Sequence, residues 1–260
     1  MRAASKDDPA VFDRDHVLFG PLRDAMLDLE QVRRYGTSVF GHPDAISLYG
    51  MTPGVWYERG VRLVGRTMVE CTRDSLSALI AADIAEIAGA SPEPPTLVLD
   101  PFAGSANTLH WVHRALPDVA AIGVELDPVI WENTRNNLDL IECPIEWRHG
   151  SYLDALGELD PLPGGSAIVF VGPPWGHGFD AATGLDFART TPPVREIVER
   201  IFAGMPGTPL LVAVQAFERI EPASLDAVRS LFDWSDLRTY SLNPPGRNPA
   251  TLLGTRGWTP

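Results

Sequence analysis

Three short runs in this chain hold residue types that can do chemistry together. The first is Asp100-Pro101-Phe102-Ala103-Gly104-Ser105-Ala106-Asn107-Thr108, an acid followed by mostly small residues. Placed between a strand end and a helix start, such a loop lets a ligand approach the backbone and meet free N–H groups. The second is Glu125, with Leu126, Asp127 and Pro128 after it. A carboxylate at a strand end can accept hydrogen bonds from both hydroxyls of a ribose. The third is Gly172-Pro173-Pro174-Trp175, with Gly176 and His177 following. Two prolines fix a rigid turn and lack N–H groups, which leaves carbonyls free to accept from an amino or ring N–H. Trp175 offers a flat face on which a planar ring can stack, worth about 1–3 kcal/mol. A packed turn with a core indole would use the same residues.

These runs need a scaffold that brings them to one place. Apolar runs of strand length occur at 96–100, 121–126, 167–171 and 210–217, with a weaker one at 145–150. Helical patterns fill the intervals at 105–116, 127–141, 192–203 and 222–232. Continuous apolar strands alternating with amphipathic helices predict an α/β fold, its parallel sheet covered on both faces. Segments 237–242 and 250–255 predict a closing antiparallel hairpin, which makes the sheet seven-stranded. In such a sheet a ligand sits at the C-terminal strand ends near the switch in strand order. All three runs fall there.

Pro92-Glu93-Pro94-Pro95 separates this regular part from an irregular one, which predicts an N-terminal extension over 1–92 and a catalytic domain over 93–260. The extension reads as partly helical, with helices at 21–34 and 73–88. Leu76, Ile80, Ile84 and Ile87 stripe the second, Thr72 is its expected N-cap, and Gly89 stands at its end. Tyr49, Trp56 and Tyr57 lie between the two. They could fold over the site as a lid or simply pack the extension onto the core.

The first two runs suit a dinucleotide or S-adenosylmethionine. The G-x-G-x-x-G cradle for a pyrophosphate is absent. Asp100 would repel a pyrophosphate and could meet an ammonium group instead. DPFAGSANT followed by GVELDP resembles motifs I and II of class I methyltransferases, and VFVGPPWGHGFD resembles the [DNS]-P-P-[YFW] motif of the enzymes that methylate amino groups. In its Trp form the loop is similar to that of the RNA cap guanine-N2, or trimethylguanosine, methyltransferases. The resemblance covers roughly residues 68–180. It implies a Rossmann-like class I methyltransferase fold and S-adenosylmethionine as cofactor. It also implies cofactor contacts from Thr72, Asp100, Phe102, Ala103, Gly104, Asn107, Thr108, Glu125, Leu126, Ser151 and Tyr152. Gly172, Pro173, Pro174, Trp175 and His177 would face the methyl acceptor, and Trp131 could border the adenine pocket.

Two departures bear on the acceptor. The residue before Pro-Pro is usually Asp, Asn or Ser, whose side chain holds the target N–H; here it is Gly172. The third strand usually ends in Gly-Asp, where this chain has Gly150-Ser151, leaving Ser151 or Asp154 to meet adenine. Ala106 also replaces a frequent glycine, at little cost if its φ is negative. No general base commands the site, and His177 is the nearest proton acceptor. Positioning an intact lone pair can suffice for methyl transfer.

Composition limits the substrate. The 260-residue chain has a formal charge of −13 and a single lysine, Lys6, which argues against a long nucleic acid. Arg59, Arg62, Arg66 and Arg73, with Arg238, Arg247 and Arg256, could still form a basic lip, or be scattered surface residues. The two cysteines, Cys71 and Cys143, cannot make a disulfide framework, and the first residues hold no apolar leader, so a cytoplasmic protein is expected. The histidines show no ligand spacing, so no metal is expected. The favoured reading is methyl transfer to a carbon or nitrogen of a small planar heteroaromatic, indole- or purine-like, as in natural-product biosynthesis. RNA guanine-N2 methylation is the alternative, on a cap or a tRNA, and an inactive cofactor-binding partner subunit is a third. The oligomeric state is left open, a homodimer included.

Overall fold

In a computed structural model, residues 12–158, 164–180, 182–242 and 248–260 are described. Lys6, Arg247 and the first eleven residues, on which the reading of a missing leader rests, lie outside them. The chain opens with five helices: α1 (Arg14–Leu18), α2 (Leu29–Phe40), α3 (Pro53–Glu58), α4 (Gly65–Glu70) and α5 (Asp74–Ala88). Strand and helix then alternate through β1 (Pro95–Asp100), α6 (Asn107–Ala115), β2 (Ala120–Glu125), α7 (Pro128–Leu140), β3 (Glu146–His149), α8 (Tyr152–Gly157) and β4 (Ser166–Val171). A small ribbon of β5 (Phe179–Asp180) and β6 (Gly184–Leu185) precedes α9 (Val194–Gly204) and β7 (Leu210–Phe217). The order closes with α10 (Pro222–Arg229), β8 (Trp234–Thr239) and β9 (Pro249–Arg256).

The main sheet has seven strands in the order β3-β2-β1-β4-β7-β9-β8. The first five run parallel, and β9 is antiparallel to both β7 and β8. Strand order reverses between β1 and β4, which opens a crevice at their C-terminal ends. Alternate residues feed two cores, one on each face. Val98, Ile168, Phe170, Leu211 and Ala213 pack under α5, α6 and the N-terminal helices. Leu97, Leu99, Val169, Val171, Val212 and Val214 pack under α8 and α9. Burying each such side chain contributes about 1.5–3 kcal/mol, so every central strand is anchored from both sides.

Several local expectations give way. The first long helix begins at Leu29, not near residue 21. Asp28 accepts from the Gln31 N–H at 2.8 Å while Gln31 Oε1 accepts from the Asp28 N–H at 2.9 Å, a reciprocal cap that fixes the start. Gly41, at φ +76°, closes the helix after Phe40. The N-cap of α5 is Arg73 and no side chain caps it, so Thr72 is free for other work. Helix α6 starts at Asn107 after Ala106 at φ +56°, a left-handed conformation, so the condition under which alanine costs little there is not met. Strand β8 lies three residues earlier than expected, and the reversed strand β9 sits inside the sheet with β8 at its edge.

The N-terminal helices share the core of the sheet. Tyr49 is 5% exposed and Trp56 0%, so these aromatics pack inside and neither is free to swing as a lid. Tyr57 lies under the Arg62 guanidinium and its hydroxyl donates to the Leu27 carbonyl. No helix among the described residues is long and apolar enough to cross a membrane.

Candidate functional site

The site forms where β1, β2, β4 and β7 end. Asp100 closes β1 and is 2% exposed. Its Oδ1 accepts from the Phe102 N–H at 3.1 Å. Burial pushes its carboxyl up to about 8; the Phe102 hydrogen bond opposes the rise and the nearby Glu125 charge adds to it. No cationic side chain among the described residues pairs with Asp100.

Glu125 closes β2 beside it. One carboxylate oxygen accepts from the Gly104 N–H at 3.1 Å and the other from the Asp127 N–H at 2.7 Å. Burial raises its pKa and these two backbone bonds restrain the rise. Each oxygen keeps a lone pair, so the carboxylate is aimed without being used up. Between the two acids Gly104 turns at φ +52°, and a Cβ built on it would meet nothing within 4 Å. The Ala103 N–H is committed to the Val124 carbonyl at 3.0 Å, which ties the loop to β2. The result is an open hollow rimmed by two acids and a glycine backbone. Leu126, 68% exposed, and the Phe102 ring, packed on Tyr152 at 5.2 Å, supply apolar surface next to it.

Other expected cofactor residues are occupied elsewhere. Asn107 Oδ1 accepts from the Tyr49 N–H at 2.7 Å, and its Nδ2 donates to the Thr72 carbonyl at 2.7 Å and to Ser77 Oγ at 3.3 Å. Thr108 is buried against Ser77, their hydroxyls 3.5 Å apart. Both residues therefore help hold the N-terminal segment to the core. Asn107→Ala should strip the Tyr49 N–H of its acceptor and cost about 1–3 kcal/mol. A drop in melting temperature of about 3–10 °C is expected; an unchanged melt would remove Asn107 from this stapling role. Ser151 caps α8, accepting from the Asp154 N–H at 3.2 Å and donating to Asp154 Oδ2 at 2.7 Å, so its hydroxyl is already engaged. Trp131 stacks near His149, ring centroids 5.2 Å apart, under the Arg135 guanidinium.

The third run lies across the crevice from the acids. Gly172 follows β4, Pro173 is buried, and Pro174 is exposed. No described backbone N–H donates to the carbonyls of Gly172, Pro173 or Pro174. Trp175 is half-buried, its ring 5.2 Å from that of Phe179, which in turn meets Phe217 edge-on. His177 is exposed on the turn Gly176–Gly178. One participant was not read from the sequence. Gln215 stands near the end of β7 and donates its Nε2 to Thr72 Oγ1 at 3.0 Å. A polar residue in the otherwise apolar Leu210–Phe217 run was the available signal.

The arginines do not gather into a lip. Arg66 pairs with Asp127 at 2.7 Å and Asp24 at 3.0 Å. Arg62 donates to the Tyr57 and Val61 carbonyls, and Arg73 lies over the Phe40 ring. Arg238 is held by Asp83, Glu86 and Asp236, and Arg256 covers Phe202. Acids thus pair with Arg66 and Arg238, while Arg62, Arg73 and Arg256 lie against carbonyls or rings.

No protein-family model matches the chain. It is 23% identical over 124 residues to trimethylguanosine synthase of Schizosaccharomyces pombe, a match covering 46% of this chain and 48% of that protein. The chain thus spans about half the length of the curated relative it matches. Among solved structures, a delta-N form of the METTL16 methyltransferase domain superposes with a TM-score of 0.53 at 13% identity, covering 89% of this chain and 98% of that one. The METTL16 methyltransferase domain itself gives 0.52 at 12% identity, with 89% and 82% covered. A Listeria monocytogenes protein provisionally described as a class I S-adenosylmethionine-dependent methyltransferase gives 0.50 at 19% identity, with 73% and 62% covered. The fold is the Rossmann-like fold of class I methyltransferases.

Proposed function

We propose that this chain is an S-adenosylmethionine-dependent methyltransferase acting on a small planar heteroaromatic. The observation that carries the reading is the pair of strand-end acids, Asp100 and Glu125, around the open Gly104 turn, facing the Gly172–Trp175 loop across the switch point. The hollow fits the cofactor's chemistry. Asp100, buried without a cationic partner, suits an ammonium group. Glu125, held by two backbone N–H groups, suits the ribose hydroxyls. Gly104 and Ala103 give backbone against which the ligand can lie, and Leu126, Phe102 and Tyr152 border the base. When bound, S-adenosylmethionine supplies an electrophilic methyl group. The residues of the loop then orient the acceptor: free carbonyls between Gly172 and Pro174 take its N–H groups, and Trp175 holds its plane. We assign 93–260 to this catalytic unit, with 1–92 as the extension that braces it.

RNA guanine-N2 methylation is the second reading, favoured by the similarity to trimethylguanosine synthase and by the GPPWG loop. The ion pairing of Arg66 and Arg238 and the charge of −13 weigh against it. Methyl transfer from tritiated S-adenosylmethionine into cellular RNA mixed with small aromatic metabolites, separated by size, distinguishes them. Label in the small fraction supports the heteroaromatic reading, and label in RNA replaces it with the second. No label in either fraction would remove methyl transfer altogether.

A further inference from the structure

Gly172 lacks the side chain that holds the target N–H in comparable loops, yet the space beside it is not vacant. Val171 pairs with Val214 across the parallel β4–β7 ladder, so the next position brings Gly172 alongside Gln215. A Cβ built on Gly172 would stand 3.2 Å from Gln215 Oε1 and 3.3 Å from Phe170 Cε1. The amide oxygen of Gln215 therefore occupies the place that a longer residue at 172 would claim. Its orientation is fixed from behind. Nε2 donates to Thr72 Oγ1 at 3.0 Å, and Thr72 is itself held through its carbonyl by Asn107 Nδ2 at 2.7 Å and Ser77 Oγ at 3.0 Å. With the nitrogen engaged, Oε1 turns toward the loop and has no hydrogen-bond partner among the described residues. A clamped, half-buried acceptor with an unused lone pair at the crevice is a group prepared for a donor on a ligand.

We infer that Gln215 takes over the task missing at Gly172, accepting the N–H of the acceptor atom, which is therefore a nitrogen bearing a hydrogen. This assignment rests on the methyltransferase reading and narrows it, since a carbon acceptor has no use for the amide oxygen. With the N–H held by Oε1, the nitrogen lone pair points away from Gln215 and toward the cofactor hollow. The N–C bond forms as the sulfonium S–C bond breaks, the sulfonium leaves as a thioether, and the proton of the nitrogen passes to water. Gln215 itself exchanges no proton. A Cβ at position 172 would be tight against the amide oxygen, which would have to give by a few tenths of an ångström.

The test compares wild type, Gln215→Ala, Gln215→Glu and the double variant Gly172→Asn/Gln215→Ala. The first readout is the initial rate of tritium transfer from S-adenosylmethionine into the same pool of RNA and small aromatics. Equilibrium dialysis of S-adenosylmethionine and thermal melting are measured alongside. Gln215→Ala should lose about 10- to 100-fold in rate, while cofactor affinity stays within about twofold of wild type. Gln215→Glu, which keeps an oxygen at the same reach, should lose less. The double variant, with the amide moved to position 172 and its space cleared, should recover most of the rate. An unchanged rate in Gln215→Ala overturns the assignment, as do equal losses in the Ala and Glu variants or a double variant no faster than Gln215→Ala with normal melting. If wild type itself transfers no label, the methyltransferase reading fails, and the assignment falls with it.

Discussion

Replacing Asp100 by Asn should make the protein melt higher while it loses S-adenosylmethionine. The side chain is 2% exposed, and burial pushes its carboxyl up to about 8. An unfolded aspartate titrates near 3.9. The folded protein therefore keeps a proton that the unfolded chain releases. This contribution to stability is full below pH about 4 and is lost as pH rises through about 8. Asparagine keeps the neutral shape at every pH. Its advantage should be absent near pH 4 and largest above pH 8, where a rise in melting temperature of about 3–8 °C is expected. Cofactor binding moves the other way. An ammonium group needs the ionised acid, so wild-type affinity should climb from pH 6 towards 8, then fall as the ligand's own amino group, with a pKa near 8, loses its charge. The Asn variant should bind about 10–100-fold more weakly, as expected when a charge-assisted bond is lost. Calorimetric titration at pH 6, 7 and 8 reads this directly. Equal affinity in the two proteins would mean that Asp100 meets no ammonium.

Trp175→Ala should separate acceptor binding from everything else. The indole is half-buried and rests on Phe179 at the margin of the second core, so its removal should leave the buried residues of that core in place. Stacking of a planar ring on an aromatic face is worth about 1–3 kcal/mol, so the rate at low acceptor concentration should fall about 10- to 100-fold. Cofactor affinity should stay at the wild-type value, since Asp100 and Glu125 lie on other strands. An inactive partner subunit would behave differently: turnover would be at background before and after the change, and only melting or assembly would respond. The same tritium assay with equilibrium dialysis decides between them.

Much of this was legible in the sequence because it depends on local pattern. Runs such as Leu210–Phe217 are apolar on both faces, and only a covered parallel strand can use them. The strand ends then placed Asp100, Glu125 and Gly172 together without any knowledge of long-range contacts. What escaped depends on tertiary partners. Ala106 takes a positive φ because the loop after β1 must double back, its N–H reaching the Ala103 carbonyl at 2.6 Å, and nothing in an alanine announces that. Whether the arginines form a basic lip or stay scattered was open in the sequence, because acids far away in the chain, such as Asp83 for Arg238 and Asp24 for Arg66, become their neighbours only on folding. The stapling partners of Asn107, Tyr49 and Thr72, lie 58 and 35 residues away, and no local pattern names them. Gln215 was visible as an odd residue in an apolar run, but its neighbour Gly172 comes from another strand.

The placement of β9 has a consequence for how this sheet can open. β8 precedes β9 in the chain, but its ladder bonds go to β9 and none go to β7. Loss of β9 therefore strips β8 of its neighbour in the same event. β7, β9 and β8 thus form one antiparallel ladder unit, in which β8 is expected to lose its dock whenever β9 opens. Gln215 pairs with Thr251 on β9, so the amide that faces the crevice belongs to this unit. Opening at the far edge of the sheet is thus expected to reach Gln215 through that ladder.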